Sequence, residues 1–102
     1  MTTELRDKLV LVTGADRGIG RGIALAFAKA GSRVAAHGLA GPNEAQQLLA
    51  ELREVGSPDA RFFGGDLRDV KRIDALMAEV FAWGHVDVLV NNAGIQIGRA
   101  HV

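Results

Sequence analysis

The sequence predicts an α/β fold built on a parallel sheet, and three observations carry that expectation. Four short apolar runs alternate with three longer amphipathic stretches. The runs are almost continuously apolar, as strands covered on both faces are. Glycines cluster where the first run passes into the first amphipathic stretch. The order βαβαβαβ implies parallel strands joined by right-handed crossovers.

The strands are expected at Lys8 to Gly14 (KLVLVTG), Ser32 to Gly38 (SRVAAHG), Ala60 to Asp66 (ARFFGGD) and Val86 to Asn92 (VDVLVNN). In the first helix, Ile19, Ile23 and Phe27 repeat at helical spacing, Ala26 and Ala30 extend that face, and Gly31 is the stop. The second helix has Asn43 as a candidate N-cap, with Gln46 completing a capping box. Its stripe is Ala45, Leu48, Leu49, Leu52 and Val55, ended by Gly56 and Pro58. The third helix starts near Asp69, presents Val70, Ile73, Met77, Val80 and Phe81, and stops at Gly84. Trp83 and Phe81 read as packing residues, and the run RDVKR as a solvated helix start. No linker, repeat or low-complexity stretch divides the chain, so one structural unit is expected.

Composition narrows the function. Lys plus Arg balances Asp plus Glu at 12 each, without blocks of one sign, so neither nucleic acid nor an anionic membrane is favoured as a partner. The chain has no cysteine, which removes disulfides and thiolate metal sites. The three histidines, His37, His85 and His101, show no metal-ligand spacing and read as structural. No apolar run approaches the roughly 20 residues that span a bilayer. The charged start MTTELRDK lacks the apolar segment of a signal peptide. A cytoplasmic protein is the expectation.

The first strand runs into TGADRGIGRG, Thr13 to Gly22. Gly14 suits a sharp turn, Gly18 a close approach of backbone to a bulky group, and Gly20 tight packing of helix on strand. Such a helix start offers unpaired N–H groups and a positive dipole end to a pyrophosphate. Glycines at this spacing also serve as plain turn and packing residues. Their position between a strand and a helix favours the anion site. No G-x-x-x-x-G-K-(S/T) run occurs, which excludes a P-loop. No acid precedes the glycines on the first strand, which disfavours a methyltransferase loop.

These residues resemble the short-chain dehydrogenase/reductase family. Thr13 to Gly20 matches its T-G-x-x-x-G-(I/L)-G, Asn91-Asn92-Ala93-Gly94 its N-N-A-G, and Asp66-Leu67 its acidic-apolar pair after the third strand. The resemblance covers about Lys8 to Gln96 and implies a Rossmann-type, doubly wound sheet of which this chain supplies strand order 3-2-1-4. It implies that Gly14, Asp16, Arg17, Gly18, Ile19 and Gly20 hold the cofactor pyrophosphate. Asp66 would accept from the adenine amino group, or act as a turn or cap aspartate, with Leu67 near the ring. Asn91, Ala93 and Gly94 would follow the adenosine ribose, and the asparagine pair would also tie the fourth strand to its neighbours.

The end of the second strand leaves the nicotinamide cofactor open on physical grounds. An acid there would select NAD and an arginine would admit NADP. Gly38 and Leu39 are neither, and Arg17 either reaches a 2′-phosphate or faces solvent. NNAGIQ and HGL resemble the 3-hydroxybutyrate dehydrogenase branch, which implies NAD. Carrier-protein-linked 3-oxoacyl reductases and sugar dehydrogenases are the neighbouring alternatives. The resemblance further implies a small-molecule alcohol or ketone substrate and a homo-oligomeric, dimeric or tetrameric, full-length protein.

The family's proton-transfer pair is Tyr-x-x-x-Lys, downstream of N-N-A-G. This chain has no tyrosine, and Lys8, Lys29 and Lys71 all lie upstream, so no catalytic residue is assigned. The expectation is a truncated sheet whose apolar fourth strand is an unpaired edge, giving a marginal, association-prone polypeptide without turnover. Residues 1–96 read as the N-terminal portion of one dinucleotide-binding domain. Ile97 to Val102 reads as a non-native tail, because ATC-GGA-AGA-GCA-CAC-GTC, the start of a sequencing adapter, translates to the same residues. The competing reading is a standalone nucleotide-binding module. Resequencing the gene is expected to diverge after Gln96 and reach a downstream Tyr-x-x-x-Lys. The same hexapeptide and a genuine stop codon in an independent assembly would overturn this.

Overall fold

The computed structural model describes residues 4–93. The elements are β1 (Leu9–Val12), α1 (Gly18–Lys29), β2 (Arg33–Gly38), α2 (Pro42–Val55), β3 (Ala60–Gly64), α3 (Val70–Trp83) and β4 (Val88–Val90). The four strands form one parallel sheet in the order β3-β2-β1-β4. The α/β class and the 3-2-1-4 order match the sequence expectation. Among the described residues, no helix is long and apolar enough to cross a membrane.

The near-continuous apolar runs are explained by burial on both faces. Val10, Val12, Val34 and Ala36 pack toward α1 and α2, with Leu48, Leu49 and Leu52. Their strand neighbours Leu9, Leu11 and Ala35 point the other way, and join Phe63 to Leu76 and Val80 of α3. Period-2 alternation therefore divides one run between two cores. Among the described residues, the second face carries only α3 over four strands, and Leu89 of β4 is 57% exposed there.

Each helix corrects the sequence reading in a way that has a packing reason. On α1 the buried line is Gly20, Ala24 and Ala28, one residue round from the expected stripe. Ile23 and Phe27 flank it, while Ile19 is 77% exposed. The helix approaches the sheet so closely that only small residues fit the line of contact. On α2 the cap is Gly41, not Asn43, and Pro42 takes the first turn, where its fixed φ suits a helix and its missing N–H costs nothing. Ala45, Leu48, Leu49 and Leu52 are buried as expected, but Val55 is exposed in the last turn. Asp69 does cap α3, its carboxylate accepting from Lys71 N at 3.0 Å. There the buried pair is Leu76 and Val80, with Val70 and Phe81 exposed. RDVKR is solvated except at Arg72, whose Nε donates to Gly64 O at 2.9 Å.

The fourth strand is shorter than Val86 to Asn92. Asp87 stops the ladder at one end, its Oδ2 accepting from Leu9 N at 2.9 Å. At the other, Asn92 already belongs to a helical turn. Trp83 packs as expected, its ring 6.0 Å from that of Phe63 and under the guanidinium carbons of Arg33 and Arg61 at 4.5 and 4.9 Å.

Two glycines on one helix separate packing from propensity. A Cβ at Gly20 would overlap the Gly14 carbonyl and lie 2.5 Å from Asn92 Nδ2, whereas one at Gly22 meets nothing within 4 Å. Chemical denaturation should show Gly20→Ala destabilising by roughly 1–3 kcal/mol through overpacking. Gly22→Ala should stabilise by about 1 kcal/mol, the helix-propensity difference. Equal effects at both positions would contradict the close approach of α1.

Candidate functional site

The site is assembled where β1 leaves the sheet. Gly14 turns the chain with φ at +64°, a left-handed conformation in which other residues are strained. Three hydrogen bonds to two residues fix it. Its N–H donates to His37 Nδ1 at 3.1 Å, its carbonyl accepts from Asn92 Nδ2 at 3.2 Å, and Ala15 N donates to His37 O at 2.7 Å. Thr13 adds a tie to the segment after β4: its Oγ1 accepts from Ala93 N at 3.1 Å, and its own proton is within reach of Asn91 Oδ1 at 3.3 Å.

His37 spans the floor of the site. It is 3% exposed, and because Nδ1 accepts from Gly14 N–H, the proton must sit on Nε2. Nε2 then donates to Gly65 O at 2.7 Å, joining the glycine turn to the loop after β3. The structural reading of this histidine holds, but its place is inside the site. A histidine in a strand buried on both faces needs partners for both ring nitrogens, and that requirement is the signal the sequence carried. His85 lies near Asp87, with Nε2 to Oδ1 at 4.0 Å. His101 lies outside the described residues. Among the described residues no cluster could hold a metal ion.

Above this floor is an open cleft of about 390 Å³ at the carboxyl ends of the strands. It lies where the chain order reverses, with β2 on one side of β1 and β4 on the other, the usual ligand position in open α/β sheets. Of the residues expected from sequence, Gly14, Asp16, Arg17, Asp66, Leu67 and Ala93 line it. Gly18 opens α1 at φ +59° with free space where a side chain would project. Ile19 is exposed beside it, and Gly20 lies buried beneath as a packing residue. Asn91 follows β4 and is bonded to Thr13, while Asn92, not singled out for the ribose, is the buried member of the pair. Gly94 and the Ile97 to Val102 tail lie outside the described residues. His37, Gly38, Leu39, Gly65 and Arg68 complete the lining.

The start of α1 suits an anion. Its N-cap, Arg17, makes no side-chain capping bond, and no acid stands in the first turn. The orphan N–H groups and the positive dipole end are therefore left for a ligand. Opposite, Asp66 is in an Asx-type turn: its Oδ1 accepts from Arg68 N at 2.9 Å, and its Oδ2 from the Arg68 guanidinium at 2.7 Å. The turn-aspartate reading holds, and Asp66 also lines the cleft, where a carboxylate with about four acceptor positions has room for a further donor.

The family model described as short chain dehydrogenase matches residues 8–101. The chain belongs to that family. Curated relatives include the hydroxynaphthalene reductase-like protein Arp2 of Metarhizium robertsii, 37% identical over 94 residues, covering 91% of this chain and 35% of the relative. The Metarhizium acridum protein of the same name is 35% identical over the same share. This short-chain dehydrogenase sequence thus spans about a third of the length of the curated relatives it matches. Among solved structures, an NADH-dependent reductase, A1-R′, complexed with NAD superposes with a TM-score of 0.80 at 34% identity, covering 89% of this chain and 38% of that one.

The Asp66 carboxyl is held down to about 2, from an ordinary 3.8, first by the Arg68 side-chain hydrogen bonds and then by the Arg68 N–H. A depressed folded value means that the pair's contribution is complete above pH 3.8 and is lost as pH falls through about 2. The pair is solvent-exposed and screened, so it orders the loop more than it stabilises the fold. An NMR titration should place the Asp66 midpoint near 2, and Arg68→Ala should return it toward 3.8. A midpoint unmoved by that substitution would show that the loop, not Arg68, holds the carboxylate.

Proposed function

We propose that this chain is the dinucleotide-binding part of an NAD(H)-dependent oxidoreductase that interconverts an alcohol and a ketone. The observation that carries this is the uncapped start of α1, opened by Gly18 and facing the cleft that Asp66 and Leu67 line. A pyrophosphate suits that helix start, with Gly14, Gly18 and Arg17 around it and Ile19 covering it. The adenine suits Asp66 and Leu67, and its ribose suits Asn91, Ala93 and the neighbouring Gly94. The donor set fits the group: unpaired N–H on one side and an ionised acceptor on the other.

When bound, the nicotinamide would exchange a hydride with the substrate carbon. The residues described here bind and orient; the proton on the substrate oxygen needs an acid, and the family's tyrosine does not occur in this chain. NAD rather than NADP is supported by the solved neighbour's own ligand and by the 3-hydroxybutyrate resemblance of HGL and NNAGIQ. Through the same resemblance, 3-hydroxybutyrate and acetoacetate are the candidate substrate pair. The two Arp2 relatives are named hydroxynaphthalene reductase-like, and a small carbonyl substrate and a homo-oligomeric full-length enzyme complete the reading.

Titration of the chain with NADH, followed by fluorescence, tests it. Saturable binding without turnover is the expected result. Gly18→Asp should weaken binding at least ~10-fold, by setting a negative charge at the phosphate position. Gly18→Asn, which tolerates the same left-handed backbone, should weaken it far less. Absence of binding in the folded wild-type chain, or equal effects of Asp and Asn, would sink the proposal.

A further inference from the structure

The end of β2 carries no acid, yet an acid stands there. Asp16 belongs to the glycine turn, but its Oδ2 accepts from Leu39 N at 2.9 Å, just past the last residue of β2. Its carboxylate fills the volume a side chain at Gly38 would need: a Cβ there would lie 2.7 Å from Asp16 Oδ2 and 2.8 Å from Asp16 Cβ. The two positions are sterically exclusive. Asp16 Oδ1 has no hydrogen-bond partner among the described residues.

From this geometry we infer that Asp16 is the residue that selects the cofactor's ribose, acting from the glycine turn in place of a strand-end acid. The inference rests on the dinucleotide reading above and deepens it. A carboxylate at this place accepts from a ribose 2′-hydroxyl and repels a 2′-phosphate. The cleft's other charges do not reverse the sign. Arg68 is paired with Asp66. Arg17 is the exposed N-cap of α1, beside the pyrophosphate position. His37 is held as the neutral tautomer by its two bonds.

The test compares dissociation constants for NAD+ and NADP+ on the chain by calorimetry, with circular dichroism as the check on folding. Wild type should favour NAD+ on the order of 10-fold or more, as one exposed charge facing a phosphate allows. Asp16→Asn keeps an amide oxygen for Leu39 N–H and removes only the charge, so the preference should fall ~10-fold, through gained NADP+ affinity. The double variant Asp16→Ala with Gly38→Asp should regain the NAD+ preference, with the acid now arriving from the strand. A wild type that prefers NADP+ would make Arg17 the selecting residue and overturn the inference. So would an unchanged ratio in Asp16→Asn while both dinucleotides still bind. Binding of neither dinucleotide to folded protein would overturn the cofactor reading and the inference together.

Discussion

Gly14 is the residue on which the rest of the site depends. Its left-handed backbone sends the chain from β1 into α1, and both of its polar backbone groups are taken by side chains from elsewhere in the sequence, His37 on β2 and Asn92 after β4. Gly20 then packs on its carbonyl, which sets how near α1 comes to the sheet. Removing either side-chain partner would leave a buried backbone group unsatisfied, at a cost of about 1–3 kcal/mol. The native arrangement avoids that cost, because the Gly14 N–H and carbonyl are both paired. The turn is thus held by tertiary bonds and does not rely on local propensity.

That dependence explains what was legible in the sequence. Runs such as LVLV and RVAAHG could be read as strands because burial on both faces demands apolar residues at every position. Gly14 and Gly20 could be given roles because the roles are steric and local. The α1 stripe was misplaced by one residue because that helix packs through its small residues, while on α3 Val80 and Met77 pack as expected and only Leu76 was missed. Ile19 and Phe81 are big and periodic, yet the contact lines run through Gly20, Ala24 and Ala28 on α1 and through Leu76 and Val80 on α3. Periodicity finds a face to within one residue, and close packing of small residues decides which line is buried. Asn43 failed as a cap for a local reason, since Pro42 had already started the helix.

Long-range bonds were the least legible. Thr13, His37 and Asn92 are polar residues at the ends of apolar runs, a place where turn residues are common. Only the sheet order brings them together, by placing β2 and β4 on opposite sides of β1. The same order puts Asp16 of the first turn against Leu39 of the second. A search of the β2 end for an acid or an arginine finds nothing in the sequence, because the charge at that place is supplied by a residue 23 positions earlier.

The described cleft lies over the carboxyl ends of the strands. Every bond that shapes the cleft lies among the β1, β2, β3 and β4 ends, the start of α1 and the turn after β4. The glycine turn is fixed by His37, Asn92 and Thr13, and β4, which carries the exposed Leu89, takes part through Val90 O, which accepts from Thr13 N at 3.0 Å. Binding and chemistry separate on the proposed reading: the orphan N–H groups at the start of α1 and the carboxylates of Asp66 and Asp16 hold a dinucleotide without a proton donor nearby. This sequence has no tyrosine. Recognition is then a property of the strand ends and of the first helix, separate from the group that moves a proton.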